Sequence, residues 1–199
     1  AAALEARAAE IGAAALPCPC DVTDRGAVTR ALAVIVNALG GAPDVLVNNA
    51  GVFALARIEA TTPAAFADAV EANLIAPFFL VRAFLPEMLA RGSGHIVTVG
   101  SVADRHAFPE NGAYAASKFG VRALHEVLRA ELRGTGVRAS IVSPGPTDTS
   151  LWNSVRPETR EGFPARSAML RPEAVADAIL YAVTRPGPMN VDELRLSAS

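Results

Sequence analysis

In the stretch NGAYAASKFGVRAL, residues Asn111 to Leu124, one tyrosine and one lysine stand four positions apart among small and apolar neighbours. Positions i and i+4 share a helix face, so Tyr114 and Lys118 can bring a phenol and an ammonium together. A phenol has an ordinary pKa of ~10 and is a sluggish base near neutrality, but a cation close by favours the phenolate and lowers that value. The chemistry on offer is proton transfer by a tuned acid/base pair. A solvated helix face shows the same spacing, so the rest of the chain has to choose between the two.

The elements that position this pair are legible as alternation. Short runs rich in β-branched residues, Ala15 to Cys20, Asp44 to Asn48, Gly94 to Gly100, Val137 to Val142 and Val191 to Leu196, predict five strands. Helical patterns fall between them, at Ala3 to Ile11, Arg25 to Leu39, Pro63 to Arg91 in one or two pieces, Gly112 to Arg133 and Pro172 to Val183. Thr23 and Thr62 offer caps, Pro63 and Pro172 suit a first helical turn, and Gly134 and Gly136 suit a stop. Alternating βα units predict an α/β fold with a parallel sheet covered on both faces.

In such a sheet, ligands bind beyond the carboxyl ends of the strands. Those ends read CDVTD (Cys20 to Asp24), NNAG (Asn48 to Gly51), GSVAD (Gly100 to Asp104) and SPGPTDT (Ser143 to Thr149). Taken singly, each has an ordinary role as a cap, a turn or a loop hydroxyl. Jointly they point to one crevice. The long irregular segment from Pro144 to Arg171 has the character of a binding loop, and its Trp152, Phe163 and Met169 are either an apolar lid or packing residues.

Composition sets the outer limits. With 51% hydrophobic residues, 19% charged residues and a formal net charge of -2 over 199 residues, the chain has the makeup of one folded domain, and neither disorder nor a nucleic-acid partner is suggested. No uncharged run exceeds the 13 residues from Ala31 to Pro43, so no membrane span is expected. Cys18 and Cys20 are too close for an ordinary disulfide loop or a zinc knuckle; buried strand thiols in a reducing, cytoplasmic setting are expected.

The ordered set of motifs resembles the short-chain dehydrogenase/reductase family from the first residue nearly to the last. It has YxxxK at Tyr114-Ala-Ala-Ser-Lys118, NNAG at Asn48 to Gly51, and a serine, Ser101, 13 residues before the tyrosine. Asn73 in the preceding helix, Asp21 after an early strand, and Pro144-Gly145 followed by Thr149 extend the match. The resemblance implies a Rossmann-like, doubly wound sheet in three layers and an NAD(P)-dependent oxidoreductase acting on a ketone or alcohol. Within it Tyr114 would be the general acid/base, Ser101 would hydrogen-bond the reacting oxygen, and Lys118 would hold the nicotinamide ribose. Asn73 would bend its helix and hold a water. Asp21 and Val22 would meet the adenine; Asn49, Ala50 and Gly51 would pass near the adenosine ribose; Pro144 and Gly145, with Thr147 and Thr149 fixing the carboxamide, would complete the site.

The same resemblance implies a homodimer or homotetramer through the helices Pro63 to Arg91 and Gly112 to Arg133, with Phe78, Phe79, Phe84 and Leu85 as outward candidates. His95, His106 and His125 show no metal-ligand spacing, so no metal site is expected; His95 and His125 read as surface or capping residues, and His106 falls where the family places substrate-facing residues. The family's glycine-rich turn, GxxxGxG, occurs nowhere in the chain. The fold is therefore expected to be amino-terminally incomplete, either as a piece of an ordinary reductase or as a truncated paralogue that binds rather than catalyses.

Overall fold

The computed structural model describes residues 2–199 and divides into two compact units, Ala1–Pro43 and Asp44–Ser199. In the first unit, helix α1 spans Ala2–Ile11 and α2 spans Arg25–Leu39. The cap of α2 is Asp24 rather than Thr23: its carboxylate accepts the N–H groups of Gly26 (2.8 Å) and Ala27 (3.0 Å). Thr23 instead closes a turn, donating its N–H (2.9 Å) and hydroxyl (2.7 Å) to Asp21 Oδ1. A strand at Ala15 to Cys20 is not formed, which corrects the sequence expectation. Pro17 and Pro19 remove two N–H donors that would point to the same side of a strand, so one edge could not pair. Cys18 and Cys20 are accordingly half-exposed free thiols and not core residues.

The second unit is built on four parallel strands, β1 (Val45–Asn48), β2 (Gly94–Val99), β3 (Val137–Pro144) and β4 (Glu193–Leu196), in the order β1-β2-β3-β4. The register pairs Val47 with Val97, Val97 with Ser140, and Val142 with Leu194. Side chains alternate across the sheet. One face carries Val97, Val142, Leu194 and Leu196 against Val175, Ala178, Ile179 and Val183 of α6 (Pro172–Val183). The other is covered by α4 (Ala76–Arg91) and α5 (Gly112–Glu131), over the fully buried Ile96 and Ile141. This is a doubly wound α/β arrangement in three layers.

Three helical segments run on without a break: α3 (Pro63–Val70), a π-helical turn at Glu71–Ile75, and α4. Thr62 caps the start by accepting the Ala65 N–H at 3.1 Å, and Gly92 ends the run in the left-handed region. By length and composition Pro63–Arg91 could cross a bilayer, which counting uncharged runs did not reveal. Its α4 part covers the sheet, with Ala76, Val81, Phe84 and Met88 buried. Phe84 thus faces the core, contrary to expectation, while Phe78 is exposed. Gly136, in the turn before β3, has φ +83°, and a Cβ there would meet Gly92 O at 2.1 Å, so only glycine fits.

His95 and His125 are also core residues and not the surface residues expected. His95 shares a 2.7 Å hydrogen bond with Ser140 Oγ, and burial, helped by Arg138, pulls its pKa down to about 4. His125 is 2% exposed; burial, then Arg129 and Arg122, bring it to about 4 as well.

Candidate active site

The carboxyl ends of β1, β2 and β3 open into a cavity of about 1190 Å³ whose lining residues all belong to the second unit. Single small-molecule sites measure ~300–1,000 Å³, so there is room for more than one ligand. Ser101, Tyr114 and Lys118 line it together, with Asn49, Gly51, Pro144, Gly145, Thr147 and Thr149. Ala50 lies in the same turn but off the wall, and His106 borders a smaller neighbouring cavity. Asp21 and Val22 belong to the first unit.

Ser101, two residues beyond β2, begins a short turn, Val102–Asp104, through a reciprocal capping box: its Oγ accepts the Ala103 N–H (3.1 Å) while its own N–H donates to Asp104 Oδ2 (3.2 Å). The box fixes the serine at the cavity edge. Tyr114 and Lys118 project from the first turns of α5, with Lys118 Nζ 5.6 Å from the centre of the Tyr114 ring and donating to Val99 O at 2.9 Å. Ser101 also acts on the phenol, lowering its pKa.

Burial dominates both groups. It lifts the Tyr114 phenol above its ordinary value, against the Ser101 hydrogen bond and helped by Asp104. It pulls the Lys118 ammonium down to about 8, with Asp104 acting in the opposite direction. The direction for Tyr114 is the reverse of that inferred from spacing alone, because loss of hydration outweighs the lowering by Ser101 and Asp104 adds to it. Lys118 is also the only lysine in the chain.

Asn73 sits behind the cavity wall, inside the π-helical turn, at 1% exposure. Its side chain is fully engaged: Nδ2 donates to Val52 O (3.0 Å) and Ser117 Oγ (2.9 Å), and Oδ1 accepts the Val52 N–H (2.8 Å). It therefore locks the NNAG turn to α5. Pro77 has no N–H to give the Asn73 carbonyl four residues earlier, which accounts for the local change of helical pitch. Gly51 packs so tightly here that a Cβ would lie 2.8 Å from Asn73 Oδ1.

Above Tyr114 the wall is aromatic. Phe53 meets Tyr114 (4.9 Å between ring centres) and Trp152 (5.0 Å) edge to face, and Trp152 meets Phe163 at 6.3 Å. Trp152 and Phe163 thus line the cavity, whereas Met169, at 7% exposure, is a packing residue. Arg166 ties the loop together by binding Asp148 (2.8 Å) and Asn153 (2.7 Å), and Arg160 pairs with Glu110 across the rim. Sequence reasoning missed Phe53, the Glu110–Arg160 pair and Asp104. Only Asp104 carried a local signal, the S-x-x-D spacing of a capping box.

The residues fit the nicotinamide half of a dinucleotide. Lys118 and Tyr114 offer donors for a ribose, and Thr147 and Thr149 offer hydroxyls at the end of β3. Asn48, buried between wall residues Val47 and Asn49, leaves both amide atoms without a hydrogen-bond partner among the described residues.

The chain belongs to the short-chain dehydrogenase family, whose model matches residues 1–160. It is 36% identical over 186 residues to a glycine betaine reductase of Emericella nidulans, a match covering 92% of this chain but 15% of that protein. An uncharacterized oxidoreductase of Staphylococcus haemolyticus is 32% identical over 176 residues, covering 88% of this chain and 73% of that one. Among solved structures, a metagenomic short-chain oxidoreductase in complex with NADP superposes with a TM-score of 0.72 at 30% identity, over 90% of this chain and 73% of that one.

Proposed function

We propose that the chain carries the catalytic centre of an NAD(P)-dependent oxidoreductase that interconverts a carbonyl and an alcohol. The observation that carries this reading is the convergence of Ser101, Tyr114 and Lys118 on one cavity whose wall also holds Asn49, Gly51, Thr147 and Thr149. The nicotinamide cofactor, when bound, supplies or accepts the hydride. Tyr114 donates the proton to the forming alkoxide, a much stronger base than a phenolate, so donation stays downhill even from a raised phenol. Ser101 holds the same oxygen, and Lys118 carries positive charge next to it. Asn73 acts by keeping α5 and the NNAG turn in register, and its main-chain carbonyl is the group left to hold a water. The NADP complex of the related structure supports a nicotinamide cofactor.

Phe53, Leu55, Leu151, Trp152 and Phe163 favour an apolar, preferably aromatic, carbonyl compound, since Glu110 and Arg160 neutralise each other and offer no free charge for an acid. The test is turnover of a panel of ketones and alcohols with NADH and NADPH, in the wild type and in Tyr114→Phe. The variant should lose ~10²-fold or more in turnover, the scale of general acid–base catalysis, with an unchanged circular dichroism spectrum. Activity within a few-fold of wild type would sink the assignment.

The exposed Phe78 and Leu89 on α4, with Phe119 and Val127 on α5, suit burial against a second copy of the chain. Light scattering at micromolar concentration should give a dimer or tetramer, and Phe119→Asp should shift it toward monomer; a monomeric wild type would refute this.

A further inference from the structure

Asp104 is 1% exposed, yet no catalytic step above uses it. Its Oδ2 accepts the Ser101 N–H at 3.2 Å and the Ser143 hydroxyl at 2.5 Å, which ties the end of β2 to the end of β3. Gly100 has no side chain at this junction; a Cβ there would lie 2.4 Å from the same Oδ2. The other oxygen, Oδ1, has no hydrogen-bond partner and faces the guanidinium groups of Arg105 at 3.7 Å and Arg122 at 3.8 Å. Both arginines also reach Glu193 on β4, and Arg122 pairs with Glu126 at 2.8 Å. Two cations thus serve three carboxylates, Asp104, Glu126 and Glu193, and do not fully neutralise them.

We infer that Asp104 is a positioning residue of this site, whose carboxylate anchors Ser101 and supplies the fixed negative charge that keeps Lys118 an ammonium. The inference rests on the oxidoreductase reading for its purpose, but not for its physics. Lys118 Nζ donates to Val99 O at 2.9 Å, one residue from the Gly100 against which Asp104 Oδ2 rests, so the ammonium and the carboxylate meet neighbouring residues at the end of β2; Asp104 raises both Tyr114 and Lys118. Hydration cannot do this for Lys118, which is 6% exposed. Arg105, Arg122, Glu126 and Glu193 face Asp104 from its own turn, from α5 and from β4, so the field it exerts is the remainder after they are counted.

Because Lys118 is the only lysine, isotope-labelled lysine gives one side-chain signal whose titration reads its pKa without any turnover. In the 199-residue chain, Asp104→Asn keeps the shape and removes the charge. The Lys118 midpoint should fall by roughly 0.5–1 unit, the low end of what a neighbouring charge does. In reduction assays the alkaline limb of the pH profile should move down with it, since both Tyr114 and Lys118 must be protonated. Ser143→Ala, which leaves the charge in place, should lower turnover through a looser Ser101 while leaving the midpoint where it was.

A merely structural capping role predicts lost stability with an unmoved midpoint. If Asp104→Asn loses its cooperative melt, Asp104→Ser, smaller and also uncharged, carries the same expectation. An unmoved midpoint in a folded variant overturns the inference, as does an equal shift in Ser143→Ala. Turnover in Tyr114→Phe equal to wild type, with a midpoint that still falls in Asp104→Asn, would sink the oxidoreductase reading and leave the Asp104–Lys118 coupling standing.

Discussion

Lys118→Met should make the protein more stable and catalytically dead at once. The lysine's pKa is about 8 in the fold against an ordinary 10.5, because burial strips the ammonium of water. The folded state therefore gives up the proton first, and between those values the unfolded chain binds more protons, so stability rises with pH. Below about 8 both states are charged and the cost of burying the charge is present in full. At ~1.4 kcal/mol per unit, a shift of about 2.5 units amounts to roughly 3 kcal/mol at pH 7. Methionine has similar length and no charge, so it removes this cost. Against the gain stands the hydrogen bond from Nζ to Val99 O, 2.9 Å long, whose loss strands a buried carbonyl at roughly 1–3 kcal/mol. The expected net effect is a stabilisation of about 1–2 kcal/mol at pH 7.

Urea denaturation at several pH values up to ~9.5, below the range where tyrosines ionise, measures this. The wild type should gain stability by roughly 2 kcal/mol from about pH 7.5 to 9.5, whereas Lys118→Met should stay nearly flat. With no other lysine in the chain, the difference between wild type and Lys118→Met isolates this one titration, because the two free thiols are common to both. A wild type that is flat across it, or a variant less stable than wild type at pH 7, would refute the reasoning. It would mean that Lys118 is better solvated, or better paired, than its burial implies.

The other expectations follow from the same site. Trp152→Ala should lower kcat/KM for an aryl ketone by roughly ten- to hundred-fold while changing a short aliphatic ketone only a few-fold, because the edge-to-face contacts with Phe53 and Phe163 serve only a large apolar substrate; equal losses on both would remove the aromatic wall from the specificity account. Tyr114→Phe separates chemistry from folding, Asp104→Asn separates charge from anchoring, and Phe119→Asp with light scattering reports on assembly.

Local pattern carried much of this protein. The 3.6-residue period set α2 and α6 to the residue, the β-branched runs located four of the strands, and the four-residue spacing put Tyr114 and Lys118 on one face of α5. These features depend on neighbours a few positions away, which a linear sequence displays. Tertiary structure decided whatever depends on distant partners. Ala15 to Cys20 has strand-like composition, but a strand exists only when another backbone accepts its hydrogen bonds, and two prolines had already removed donors. Phe84, His95 and His125 face the core because of what packs over them, not because of their own period. The sign of the Tyr114 shift needed a sum over burial, the Ser101 hydrogen bond and Asp104, and that sum exists only once β2, α5 and the turn between them have been brought together.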